Sequence, residues 1–168
     1  ITLYFSAVDS AAHDFGVDSI QEREAVAMVD KHIGDLVKGL KQLGLEKRSN
    51  IVVVADHGMV NLSDQRVINI DSLVDLSAFI VPDWSDKSNS VHAPFLNLYA
   101  TPELLDAAHA KLHKAHPKMR VLRHGDFPTN YHFDHPQREP DLMLLADPGW
   151  SIYASRDKRQ PQPMVKLG

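Results

Sequence analysis

Leu3-Tyr4-Phe5-Ser6-Ala7-Val8-Asp9-Ser10-Ala11-Ala12-His13 decides how this chain is read, together with its counterpart Ile51-Val52-Val53-Val54-Ala55-Asp56-His57-Gly58-Met59. In each stretch a short apolar run is followed by an Asp and a His. The runs Leu3 to Phe5 and Ile51 to Val54 are β-branched or aromatic and do not alternate with polar residues, the pattern of strands buried on both faces. Between them, about Ser19 to Leu43 reads as a helix. Val26, Val29, Ile33, Leu36, Val37 and Leu40 recur at three- and four-residue steps, and Glu22, Arg23, Glu24, Lys31, Lys38 and Lys41 fill the other face. Asp18 or Ser19 can cap its start, and Gly44 is placed to end it. Strand, crossover helix and a second strand, read as parallel, make a βαβ unit with a right-handed connection. Both Asp/His pairs are then expected at one carboxyl edge of one sheet, where open α/β sheets place ligands.

The donor types narrow the chemistry. Carboxylate oxygen with imidazole nitrogen, and no thiolate, suits zinc or another first-row divalent ion better than calcium. The spacing of Asp9 and His13 lets the chain turn off its strand so that both converge on one ion. Asp56 and His57 would point to opposite faces of a continuing strand, but Gly58 permits a sharp turn there. Two ions roughly 3.5–4 Å apart would clamp a phosphoryl group. Either pair alone is a weak signal, because an Asp at a strand end is usually a cap or turn residue. Two pairs on successive strands of one crossover unit are much harder to obtain by accident.

The stretch Leu3 to Gly16, then Asn50-Ile51-Val52-Val53-Val54-Ala55-Asp56-His57-Gly58-Met59, resembles the type I phosphodiesterase/nucleotide pyrophosphatase family of the alkaline phosphatase superfamily. Asp126-Phe127-Pro128-Thr129-Asn130-Tyr131-His132 and Arg138-Glu139-Pro140-Asp141-Leu142-Met143-Leu144-Leu145-Ala146-Asp147-Pro148-Gly149-Trp150 continue the resemblance in order over nearly the whole chain. It implies an α/β, alkaline phosphatase-like fold: a largely parallel sheet flanked by helices, with a small α+β insertion. It also implies two zinc ions, one held by Asp9, His13 and a later His, the other by Asp56, His57, an upstream Asp and an upstream Thr. In the family that Thr attacks phosphorus, and water hydrolyses the covalent phospho-enzyme. No position here matches the Thr, so it is expected upstream of Ile1. The later His usually lies in a Gly-x-His-Gly motif, expected to follow about where Val165-Lys166-Leu167-Gly168 stands.

On this reading the chain is part of a catalytic domain. It carries four metal ligands, its partner is the remainder of that domain, and alone it is expected to be inactive. The implied activity is hydrolysis of a nucleotide phosphodiester or pyrophosphate bond in a small-molecule substrate. Phosphate monoesters or phospholipid head groups are the alternative within the superfamily, and a metal-free structural remnant is a second. Tyr4 stands where relatives carry a Tyr lining the nucleoside or leaving-group pocket, and its ring could stack on a base. Otherwise Tyr4 is a core strand residue, since strand alternation puts it opposite Asp9. Phe15 is a lesser candidate, and Asp14 and Ser10 are candidates to orient ligands.

Composition agrees with one folded domain. The chain has 168 residues, 43% of them hydrophobic, and a net charge of −4 without long charge runs. A nucleic-acid groove or polybasic membrane patch is therefore not expected. No apolar stretch approaches the ~20 residues of a membrane span. With no cysteine, disulfides and thiolate sites are excluded and any compartment is permitted. Resemblance favours the bacterial periplasm or export.

Past Met59 the chain reads as a small subdomain, about residues 66–135, inserted into one catalytic domain spanning 1–168. Arg66 to Ile70 is a short strand, Val81 to Ser90 a loop, and Phe95 to Tyr99 a strand. Pro102 opens a helix to about Ala115, Met119 to Leu122 is a strand, and another returns near Leu142 to Leu145. His109, His113 and His116 sit at metal-friendly steps on that helix, yet beside Lys111 and Lys114 a solvated face is the better reading. His92, His124, His132 and His135 are given structural or surface roles, with the stretch around Tyr131 and His132 a candidate to approach the site.

Overall fold

Ser19 and Gly44 bracket the long helix as their chemistry demands. In the computed structural model, which describes residues 1–81, 90–133 and 135–155, this helix (α2) runs Ile20–Gln42. Ser19 Oγ accepts the N–H of Glu22 at 3.1 Å, which satisfies a first-turn donor, and the Glu22 carboxylate reaches back to the N–H of Asp18 just before the cap. At the other end Gly44 takes a left-handed φ of 68°. The N–H of Leu45 then bonds Leu40 O at 2.9 Å and that of Gly44 bonds Lys41 O at 3.0 Å, a Schellman closure.

The described chain divides into two units, Ile1–Asn61 and the residues from Leu62 onward. In the first, a helix absent from the expectation, α1 (Ala7–Phe15), precedes α2 and packs against it. Ala7, Ala11 and Ala12 favour it, Ala12 is buried, and Gly16, at φ 86°, stops it by returning its N–H to Ala12 O at 2.9 Å. The apolar stripe of α2 is split. Val29, Ile33 and Leu40 are half-buried, whereas Val26, Leu36 and Val37 are exposed. The buried-strand expectation for Leu3 to Phe5 and Ile51 to Val54 is not met: neither run joins a β-ladder among the described residues, and Val52 and Val54 are 80% and 81% exposed. A strand exists only by hydrogen bonding to a neighbour, and these two runs do not pair with each other.

The second unit holds two three-stranded sheets. One orders β1 (Val67–Asn69), β6 (Ser151–Ser155) and β2 (Ser90–Ala93), with β1 parallel and β2 antiparallel to the central β6. The other places β5 (Leu142–Ala146) between β3 (Phe95–Leu98) and β4 (Met119–Arg123), both antiparallel to it. Central position explains the unbroken apolar sequence of β5. Leu144 pairs with Leu96 on one side and Val121 on the other, and is fully buried. Strand β6 was not foreseen, and residues 82–89 of the expected loop lie outside the described residues.

Helix α3 (Pro102–Leu112) begins at its proline and lays Ala108 and Leu112 on the core with Ile70, Leu76, Leu98, Leu142 and Ile152. It ends three residues sooner than expected, because the chain tightens at Leu112 into a turn closed by Ala115 N–H to Leu112 O at 3.1 Å. An Arg123–Asp106 ion pair of 2.6 Å ties α3 to β4. Buried Glu139 closes the following loop, accepting the N–H of Gly125 at 2.8 Å and of His135 at 2.9 Å. Among the described residues no helix is long and apolar enough to cross a membrane.

Candidate metal centre

Asp9 and His13 meet because α1 exists. Four residues apart on a helix, they lie one turn above each other, with His13 Nε2 3.5 Å from Asp9 Oδ1. The convergence expected from a turn off a strand is thus made by one helical turn, and the strand-alternation objection to Tyr4 lapses because a helix starts between it and Asp9. Among the described residues Asp9 Oδ1 is buried and accepts no hydrogen bond, although buried carboxylate oxygens normally find a donor.

Asp56 and His57 form the second pair. The backbone N–H of His57 donates to Asp56 Oδ1 at 3.1 Å, and His57 Nε2 stands 3.8 Å from Asp56 Oδ2. His57 Nδ1 lies 3.0 Å from Gly58 O. A proton on Nδ1 satisfies that carbonyl and leaves Nε2 as the lone-pair donor of the neutral ring, the usual arrangement for a ligating histidine. The Gly58 carbonyl, then the charge of Asp56, raise the pKa of His57 above the ordinary histidine value; slight desolvation opposes them and Asp9 adds to them. Asp9 is therefore within electrostatic reach of His57, and both pairs belong to the first unit. Among the described residues no three His, Asp or Glu side chains converge as a single metal-binding group. The structure shows two Asp/His pairs in the first unit.

Tyr4 is 74% exposed and Phe15 58%, so neither ring is committed to a core. The other histidines do different work. His109 and His113 stack at 5.2 Å, and burial, with Arg123 nearby, lowers the pKa of His109. His116 packs on the Trp150 ring at 4.9 Å while its Nδ1 accepts the N–H of Lys118. His132 ends a short 3₁₀ turn with φ 49°, and the ring of His135 accepts the N–H of Gln137. One polar contact near the end of α1 escaped the sequence reading. Asn61 Oδ1 accepts the N–H of Val17 at 2.9 Å, a contact across 44 residues that no local spacing signals.

The family model of type I phosphodiesterase / nucleotide pyrophosphatase matches residues 1–166. The chain belongs to this family. It is 32% identical over 168 residues to a bis(5′-adenosyl)-triphosphatase of Bos taurus, covering 99% of this chain and 34% of that protein. An uncharacterized pyrophosphatase/phosphodiesterase of Schizosaccharomyces pombe is 30% identical over 166 residues, covering 98% of this chain and 34% of the relative. Among solved structures, murine ectonucleotide pyrophosphatase/phosphodiesterase 5 superposes with a TM-score of 0.72 at 30% identity, over 89% of this chain and 38% of that one. An inactive form of the murine protein with AMP gives 0.70 at 31% identity, over 86% and 36% of the two chains. The alkaline phosphatase-like α/β fold is thereby shown. The chain spans about a third of the length of the curated relatives it matches.

The donor set fits the zinc ions that this family implies. A buried carboxylate oxygen without a hydrogen bond, an imidazole nitrogen beside it, and a second imidazole with its Nδ1 proton directed to a carbonyl are oxygen and nitrogen ligands of the kind zinc takes. The later His motif, expected near Val165 to Gly168, lies outside the described residues.

Proposed function

We propose that the protein containing this chain is a two-zinc hydrolase of nucleotide phosphodiester or pyrophosphate bonds. Asp9 and His13 would hold one ion and Asp56 and His57 the other. The observation that carries this reading is the buried Asp9 oxygen, without a hydrogen bond among the described residues, 3.5 Å from His13 Nε2. The names of two relatives agree with it: one is a bis(5′-adenosyl)-triphosphatase, and another was solved with AMP.

When bound, zinc activates a nucleophilic hydroxyl and neutralises charge on the phosphoryl and leaving oxygens. The chain's own residues prepare for this. Helix α1 sets Asp9 and His13 one turn apart, and Gly58 O fixes the Nδ1 proton of His57 so that Nε2 can donate. The nucleophile is proposed to be a Thr elsewhere in the parent protein: its hydroxyl displaces the leaving alkoxide or phosphate from phosphorus, and water then cleaves the phospho-Thr ester. The inactive form of the murine relative, a Thr-to-Ala variant, supports that choice. Export from the cytoplasm is proposed on resemblance.

Tyr4 is proposed to line the nucleoside or leaving-group pocket, and its exposed ring supports this. In the complete enzyme Tyr4→Ala should weaken turnover of nucleotide diesters more than that of a simple aryl phosphate. Equal losses on both substrates would remove Tyr4 from the pocket.

A further inference from the structure

A two-pair centre has a mechanical requirement. Asp9 and His13 ride on α1, whereas Asp56 and His57 sit on a turn more than forty residues later. Ion–ligand distances tolerate errors of only a few tenths of an ångström, so something must fix the helix against the turn. The apolar packing of this unit is thin, since Ala12 is its buried hydrophobic residue among those described. A directional polar link is the natural device, and the structure contains one.

Asn61 lies four residues after His57, and Val17 four residues after His13. Its Oδ1 accepts the N–H of Val17 at 2.9 Å, immediately beyond the point where Gly16 ends α1. Gly16 is adapted to this contact twice. Its φ of 86° is one that L side chains rarely adopt, and a Cβ there would stand 3.3 Å from that same Oδ1. Asn61 is itself exposed, so it is not retained to fill a core.

We infer that Asn61 is a positioning residue, clasping the end of the helix that carries Asp9 and His13 to the turn that carries Asp56 and His57. The clasp is a property of the fold; its consequence for zinc rests on the function proposed above. Removing it should loosen both pairs together, because a ligand pair displaced by a fraction of an ångström loses affinity without losing its donors.

The test uses the parent protein with Asn61→Leu, which removes the acceptor, Asn61→Asp, which keeps an oxygen at that place, and Gly16→Ala, which crowds it. Amide hydrogen exchange is read first, without metal. Asn61→Leu should speed exchange at Val17 and at His57 and Gly58, Gly16→Ala should do the same, and Asn61→Asp should restore protection. Zinc affinity, read by competition with a chelator, should fall about tenfold in Asn61→Leu and recover in Asn61→Asp. Unchanged exchange at Val17 in Asn61→Leu would overturn the clasp. Faster exchange confined to Val17, with His57, Gly58 and zinc affinity unaffected, would overturn its positioning role. A wild-type parent that binds no zinc would defeat the proposed function instead, leaving the exchange results to decide the clasp.

Discussion

Replacing Asp9 by Ala should make the metal-free protein more stable and the zinc-loaded protein less so. Asp9 Oδ1 is buried and has no hydrogen bond among the described residues, which without an ion beside it is a defect worth about 1–3 kcal/mol when complete. Because the side chain is 36% exposed, the lower part of that range applies. Alanine adds up to about 0.7 kcal/mol of helix propensity. Against these stand the pair with His13, about 0.3–0.5 kcal/mol, and the acidic charge in the first turn of α1, about 0.3–1 kcal/mol. The balance favours Ala by roughly 0.2–1 kcal/mol. Zinc at about a hundred times its dissociation constant would stabilise the wild type by about 2.7 kcal/mol, which reverses the order if Asp9 is a ligand. Urea unfolding of the parent protein, with chelator and then with zinc, reads both states. An Asp9→Ala variant that is clearly less stable in chelator would make Asp9 a structural residue. An order that zinc leaves unchanged would remove it from the metal site.

Two other perturbations address the fold and the second pair. Leu144→Ala, at the fully buried centre of β5 between β3 and β4, should cost about 2–5 kcal/mol in urea unfolding; a loss under about 1 kcal/mol would contradict its central place. In the metal-free protein the His57 ring should titrate by NMR above the ordinary histidine pKa of 6.5, and Asp56→Asn should lower that midpoint only in part, since the Gly58 carbonyl is the larger cause. A raised folded-state pKa contributes stability that is fully present below 6.5 and fades as pH rises through it. Protons also compete with zinc over the same window, so affinity should weaken as pH falls through the raised value. A midpoint at or below 6.5 would refute the Gly58 contact.

Patterns that name their own partner were legible in the sequence. The stripe between Ser19 and Gly44 gave α2 nearly to the residue, because its caps are local chemistry. Phe95, Pro102, Met119 and Leu142 located β3, α3, β4 and β5 for the same reason. Helix α1 was missed because Leu3 to Phe5 was read as the start of a strand, although Asp9 and His13 at a four-residue step, among alanines and before Gly16, carry a helical signature. Strand β6, Ser151-Ile152-Tyr153-Ala154-Ser155, has no counterpart in the sequence expectations, which assign nothing between Trp150 and Val165. Ile51 to Val54 shows the other limit. An apolar run reports that a segment needs cover but not what covers it, and this run is exposed. The four proposed ligand positions are legible as residue types at informative spacings, whereas the Asn61 contact depends on a tertiary hydrogen bond that has no sequence period.

The most direct test of the central claim is the zinc-dependent turnover of the parent protein on a nucleotide diester relative to a matched phosphate monoester, measured after chelation and again after zinc is restored. Turnover that vanishes with chelation, returns with zinc, and favours the diester by a wide margin is the predicted result. A ratio below one would move the chain to the monoesterase branch, and turnover indifferent to chelation would contradict the metal centre proposed for Asp9, His13, Asp56 and His57.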